Sequence, residues 1–362
     1  MNQSKHNRNY GIDLLRLVAA FYVVVLHTVN HGGIYLAATP QSDQELVCRI
    51  LLIASFCAVN IFGIISGYVG YREPAKSISY SGYLPLWLTV VFYNVLNAVV
   101  YKVLLPVSVT GTDFFTAFFP VTNNFYWYFS AYTLVYFFSP YLNRMLYVSS
   151  EKELKQLFVL ICCLCVIVEY VGSPFALEGG YSSMWLLLLY LVGGILKKTG
   201  IGSKLSATAA LLLILLIDVG FLLLGQKQPE LTLFTFRCSL DIRYGYVTPV
   251  YIATAILHVI AFSRFRFGRI GQRIIRFTAP AAFSVYLVNT HPLFWKNFME
   301  NRFSDWAFSS PLGLLARTLL FSAAFVSAVV IADFFRQKLF ALLGVPAWGQ
   351  KLSGFLAGKK NP

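Results

Sequence analysis

The chain has 362 residues, of which 57% are hydrophobic and only 12% charged. A soluble domain carries about 25% charged residues, so composition excludes a soluble globular class and indicates an all-α, polytopic membrane protein. The formal net charge of +14 is spread among short segments between apolar runs, which fits cytoplasmic loops and argues against a nucleic-acid partner.

The first apolar run, NYGIDLLRLVAAFYVVVLHTVNH from Asn9 to His31, is long enough to cross a bilayer, yet it holds Asp13, Arg16, His27 and His31. An Asp or Arg at the centre of a spanning helix costs roughly 2.5 to 3.5 kcal/mol, so such side chains face a protein interior or a wet cavity. Arg16 and His27 are about three helical turns apart, which returns them to nearly one face at a separation of roughly 16 Å. Asp13 is within pairing reach of Arg16, and His31 follows His27 by about one turn. A polar stripe therefore runs most of the way across the membrane, with a cation at one end and imidazoles at the other. Lys5 and Arg8 precede this run, and no small-residue cleavage site follows it, so it reads as a retained helix rather than a signal peptide.

About ten spans of roughly 20 residues are expected, near 11–30, 47–69, 83–105, 124–147, 154–173, 182–198, 207–224, 245–263, 279–298 and 311–335. With a cytoplasmic N-terminus, most Lys and Arg fall in alternate loops on that side, which places both termini in the cytoplasm. The expectation is one integral membrane domain over 1–362 with no separate soluble domain.

The second span ends NIFGIISGYVGYREP, where Gly63, Ser66 and Gly67 offer a small-residue face, read either as a narrow passage or as close helix packing. Arg72 and Lys76 follow it on the cytoplasmic side. The fourth span begins near Trp127, is rich in tyrosine and carries Pro140. Cys162, Cys163 and Cys165 lie in an apolar helix and make no metal pattern. Glu169 and Asp218 are read as carboxylates inside spans that pair across the bundle. The segment 225–244, between the seventh and eighth spans, is a mixed-charge aromatic stretch suited to docking a polar acceptor.

In SRFRFGRIGQRIIRF, Arg264, Arg266, Arg269, Arg273 and Arg276 are denser than topology requires. They suit either the phosphates of a nucleotide cofactor or anionic lipid headgroups. In the ninth span, His291 stands beside Pro292, as a site residue or a polar plug. His27 is the strongest candidate for general acid–base chemistry, and Arg16 for binding a phosphate or carboxylate from the cytosol.

These residues carry a resemblance. YGIDLLRLVAAFYVVVLH is similar to the first helix of the membrane-bound acyltransferase family 3, with Arg16 and His27 at the family's arginine and histidine. FGIISGY (62–68), WYFSAYTLVYFFSPYL (127–142) and FSVYLVNTHPL (283–293) resemble its later phrases in the same order. The resemblance implies a multi-pass protein of the bacterial plasma membrane, with no bound cofactor or metal. It implies transfer of an acyl group, commonly acetyl, from acyl-CoA as co-substrate to a hydroxyl of an envelope glycan or lipid-linked glycan. His27 would then serve as general base or acyl carrier, and Arg16 would hold the donor end, supported by Asp13, Ser66, Gly67 and Trp127.

Two features depart from the family pattern. An Arg-x-x-Arg pair is absent from SISYSGYLPLW (77–87), which leaves Arg72, Lys76, Arg264, Arg266, Arg269 and Arg273 as candidates for the donor phosphates. Asn289 stands where the late histidine is expected, which puts a role for His291 in question. The alternative reading is a transporter or flippase for a glycan or lipid-linked intermediate, using the stripe as its path.

Overall fold

The computed structural model describes residues 8–72, 81–104, 110–227, 230–233, 236–239, 241 and 245–356. Lys76 and most of the 77–87 segment's polar start lie outside the described residues. Helix α1 (Tyr10–Asn30) begins where the Asn9 side chain accepts from the Ile12 amide at 3.2 Å. After a short α2 (Ile34–Ala37), α3 (Asp43–Phe56) and α4 (Ala58–Gly70) run nearly end to end with a break at Cys57. α5 (Tyr83–Leu104) is followed by α6 (Gly111–Ala117), whose first turn is closed by a Thr110–Asp113 capping box. α7 (Trp127–Val148) contains Pro140. α8 (Glu151–Leu160) widens through a π-helical stretch at Ile161–Val168, which contains the three clustered cysteines, into α9 (Glu169–Gly172). α10 (Ser183–Thr199) stops at Gly200 with φ 64, and α11 (Ala207–Lys227) leads into a two-stranded hairpin, β1 (Glu230–Leu233) and β2 (Phe236–Ser239). That hairpin is the one departure from an all-helical chain among the described residues. α12 (Pro249–Ser263), α13 (Arg269–Thr278), α14 (Ala282–Asn289), α15 (Pro292–Phe294), α16 (Pro311–Leu342) and α17 (Val345–Leu356) complete the order.

Six of the helical segments described are long and apolar enough to cross a membrane, and they fall on the first, second, third, fifth, seventh and tenth of the expected spans. The others differ for visible reasons. α7 is tyrosine-rich. α10 and α12 are short, with 17 and 15 residues. The ninth span is not one helix: α14 ends at Asn289, His291 is extended at φ -63 and ψ 132, and Pro292 starts a new turn.

Burial sorts these helices. The most apolar stretches of the α1–α2 and α3–α4 segments are 67% and 78% buried, against 22% for that of α11, so these two segments form the centre of the bundle and α11 lies at its periphery. α1 packs on α3, α4, α12, α14 and α16. Small residues make its neighbours fit. A Cβ on Gly67 would lie 1.8 Å from the Tyr190 carbonyl oxygen, and one on Gly193 would lie 2.0 Å from that of Ile64. α4 and α10 therefore cross backbone to backbone, as small-residue faces allow in a bilayer. Gly67 belongs to this packing and not to a passage.

Two carboxylates expected to pair across the bundle behave otherwise. Glu169 accepts from the backbone amides of Phe175 (2.8 Å) and Leu177 (3.0 Å), closing the turn after its own helix. Asp218 has one buried oxygen without a partner among the described residues. The cross-bundle carboxylate is instead Asp333 of α16, fully buried, which accepts from Tyr93 (2.8 Å), Ser284 (2.6 Å), Arg336 (2.6 Å) and Gln337 (2.7 Å). It ties α5 and α14 to the last long helix.

Candidate active site

Three turns of α1 bring Arg16 and His27 onto one wall, and that wall borders a cavity of about 1090 Å³. Arg16, His27, His31, Ser66 and Trp127 all line it. The polar stripe expected from spacing thus faces a cavity rather than lipid.

At the Arg16 end, Asp13 is buried and holds two guanidinium groups. Arg16 Nη1 donates to Oδ1 at 2.7 Å and Arg8 pairs with Oδ2. One carboxylate between two arginines leaves a net positive charge at this end, and the Arg16 side chain remains 33% exposed. Asp13 fixes Arg16 without neutralising the site. Tyr132 lies beside Ser66 and within electrostatic reach of Arg16, and the Ser66 hydroxyl donates to the Phe62 carbonyl at 2.8 Å. Just outside, Tyr10 has Arg8 over its ring at 5.6 Å and Arg276 at 6.0 Å, and Arg276 donates to its hydroxyl at 2.7 Å.

At the other end, the His27 ring is buried, and its Nδ1 is 2.5 Å from Asn289 Oδ1. With the carboxamide oxygen toward the ring, Nδ1 carries the proton and Nε2 keeps its lone pair, the tautomer a general base needs. Asn289 Nδ2 has no partner among the described residues. Trp295 locks the pair from the side: its indole Nε1 donates to the Asn289 carbonyl at 2.6 Å, and its ring meets His27 edge-on at 5.0 Å and His31 at 4.0 Å. Lys296 and Glu300 line the same cavity. An aromatic wall continues through Trp127, which lies 4.8 Å from the Tyr181 ring and 6.0 Å from the stacked Tyr246 ring.

The remaining candidates lie elsewhere. His291 is buried off the cavity wall, and its Nδ1 accepts from the Leu293 amide at 3.2 Å, capping the turn that restarts after α14. Gly67 packs on α10. Arg72 is exposed and does not line the cavity, and neither do Arg264, Arg266, Arg269 or Arg273. Arg264 donates to the Gly202 carbonyl at 2.6 Å, and Arg266 reaches the Ser263 carbonyl at 3.3 Å.

Sequence reasoning marked Asn289 only as a missing histidine. The position is nonetheless the one that touches His27, so the departure from the family phrase was itself the signal. Trp295 was missed because the rings it braces, His27 and His31, belong to α1 and its cap. Asp333 was missed although Arg336 stands three residues on, because its other partners, Tyr93 and Ser284, lie on helices distant in the chain.

No curated protein and no solved structure matches the chain. A family model, acyltransferase family 3, described as an acyltransferase domain, matches residues 9–336. That range holds α1 with its arginine and histidine, the cavity, and all but the last residues of α16. The chain is thus a multi-pass membrane protein, and it belongs to acyltransferase family 3.

Proposed function

We propose that this protein moves an acyl group, in the simplest case acetyl, from cytoplasmic acyl-CoA to a hydroxyl of an envelope glycan or its lipid-linked precursor. The single observation that carries this reading is one cavity with a cationic inner end at Arg16 and an imidazole held by Asn289 at the other. It operates in the bacterial plasma membrane as a single domain of about ten passes, both termini being cytoplasmic. The broken ninth span and the short α10 and α12 fit that count because they line or support a cavity, where irregular backbone at membrane depth is tolerated.

The donor enters at the inner end. Arg16 faces its anionic portion, and Arg8 and Arg276 flanking Tyr10 add charge just outside. These three replace the absent Arg-x-x-Arg pair better than Arg72 or the 264–273 arginines, because Arg16 lines the cavity and Arg8 and Arg276 are tied beside it through Asp13 and Tyr10; Lys76 lies outside the described residues. A slim arm such as that of CoA spans the roughly 16 Å to His27. There Nε2 takes the proton of the acceptor hydroxyl as its oxygen attacks the thioester carbonyl. The C–S bond breaks, and the imidazolium returns the proton to the departing thiolate. No proton is gained or lost over the cycle. The tautomer that Asn289 selects frees the Nε2 lone pair, which would serve a general base and an acyl-histidine alike; direct transfer is the step proposed. The aromatic wall of Trp127, Tyr181 and Tyr246, with Lys296 and Glu300 nearby, suits the apolar faces and hydroxyls of a sugar.

The test is the acyl-ester content of surface glycans in a deletion strain complemented with wild type or His27→Ala at equal membrane abundance. Restoration by wild type alone supports the enzyme. Restoration by both makes His27 structural. No change in any ester, with altered glycan export, favours a transporter.

A further inference from the structure

The arginines that do not reach the cavity form a surface of their own. α13 puts Arg269, Arg273 and Arg276 in one row, and Ile270, Ile274 and Phe277 in a second, each at spacings of four and three residues. The rows are offset by about 100° around the axis. Arg269 and Arg273 are exposed. Ile270 is 79% and Ile274 57% exposed, while Ile275 on the far side is buried against the protein. Exposed isoleucines of this size on a membrane protein are covered by acyl chains, and a guanidinium row beside them then lies at headgroup level. That is the arrangement of a helix lying in the interface, and its charge complement is an anionic headgroup.

We infer that α13 is a binding surface for anionic phospholipid in the leaflet at the Arg16 end, with Arg269 and Arg273 on the headgroup phosphates. α13 is continuous with Ala279 and Pro280, which line the cavity beside Arg16. Phe277 packs on Phe334 of α16 at 5.4 Å, and Arg276 is bonded to Tyr10. The lipid therefore holds the helix that leads directly into this part of the cavity wall. This consequence for the cavity rests on the reading of its inner end as the donor entrance; the lipid binding does not.

The experiment uses the full chain in phosphatidylcholine bilayers with and without phosphatidylglycerol, and measures phosphatidylglycerol retained on the purified protein. Two exposed arginines contribute roughly thirtyfold to affinity at an anionic surface. Arg269→Gln with Arg273→Gln should lower selective retention by about that factor at unchanged thermal stability, and Arg269→Lys with Arg273→Lys should restore most of it. Equal retention by wild type and the Gln variant overturns the inference. So does a Gln variant that keeps its phosphatidylglycerol but loses acyl-CoA affinity in lipid-free detergent, since the arginines would then serve the donor. Failure of acyl transfer altogether, with phosphatidylglycerol retention still dependent on the arginines, removes the acyltransferase reading and leaves the lipid surface standing.

Discussion

At the scale of single residues, the bond between His27 Nδ1 and Asn289 Oδ1 sets which ring nitrogen is available for chemistry. Partners that orient metal-bound histidines are worth about 10- to 100-fold when removed, and the same range is expected for an amide that orients a general base. Asn289→Ala should lower kcat by roughly that much and leave donor KM nearly unchanged, whereas His27→Ala should abolish transfer in a folded, inserted protein. Steady-state kinetics in vesicles separates the two; an unchanged kcat in Asn289→Ala would show that His27 needs no orienting partner. Arg16 makes the opposite split. Charge-assisted hydrogen bonds contribute about 1.5–3 kcal/mol, so Arg16→Ala should raise donor KM by roughly ten- to a hundredfold with a smaller change in kcat. Asp13 keeps Arg8 in that variant, so its charge is not left unpaired, and a loss of fold would point to a structural role for Arg16 instead.

Among the elements, the crossing of α4 and α10 is set by absent side chains. Gly67 faces the Tyr190 carbonyl and Gly193 that of Ile64, and an added methyl has no room without moving a backbone. Overpacking of this sort costs about 1–3 kcal/mol. Gly67→Ala and Gly193→Ala should each lower the thermal midpoint of the detergent-solubilised protein, and the cavity-lining Ser66 one residue from Gly67 links that shift to activity. Gly220, by contrast, has open space around it, and Gly220→Ala should leave the midpoint where it is or raise it slightly. A similar fall for both positions would remove helix crossing as the cause. The restart of the chain at His291 is a second element-scale device. The histidine caps Leu293, so a substitution there acts through the position of Asn289 and Trp295 and not through chemistry of its own.

For the molecule as a whole, Asp333 holds α5, α14 and α16 together in a region where water cannot replace a lost partner. Breaking a buried ion pair from one side costs about 3–5 kcal/mol. Asp333→Ala should therefore be among the most destabilising substitutions in the chain, measured as loss of folded protein in membranes; Arg336, bonded to both Asp333 and Thr89, would be left as an uncompensated charge. The membrane class, the polar face of α1 with Arg16 and His27, and the family are all legible before any fold is known. Each follows from composition, from a helical repeat within one segment, or from phrases in a known order. The fold was needed to learn that Asn289 holds His27, that Trp295 braces them, that His291 and Gly67 serve the backbone, and that the 264–273 arginines stand away from the cavity. It also decided which buried carboxylate ties helices together: Asp333, and not Glu169. His291 and Glu169 bond to backbone only a few residues on, but for the contacts that join distant segments, His27 with Asn289 and Asp333 with Tyr93 and Ser284, the reason is the same. A helical repeat shows which residues share a face, but which face meets which across the bundle depends on packing between segments hundreds of residues apart, and a local pattern holds no record of it.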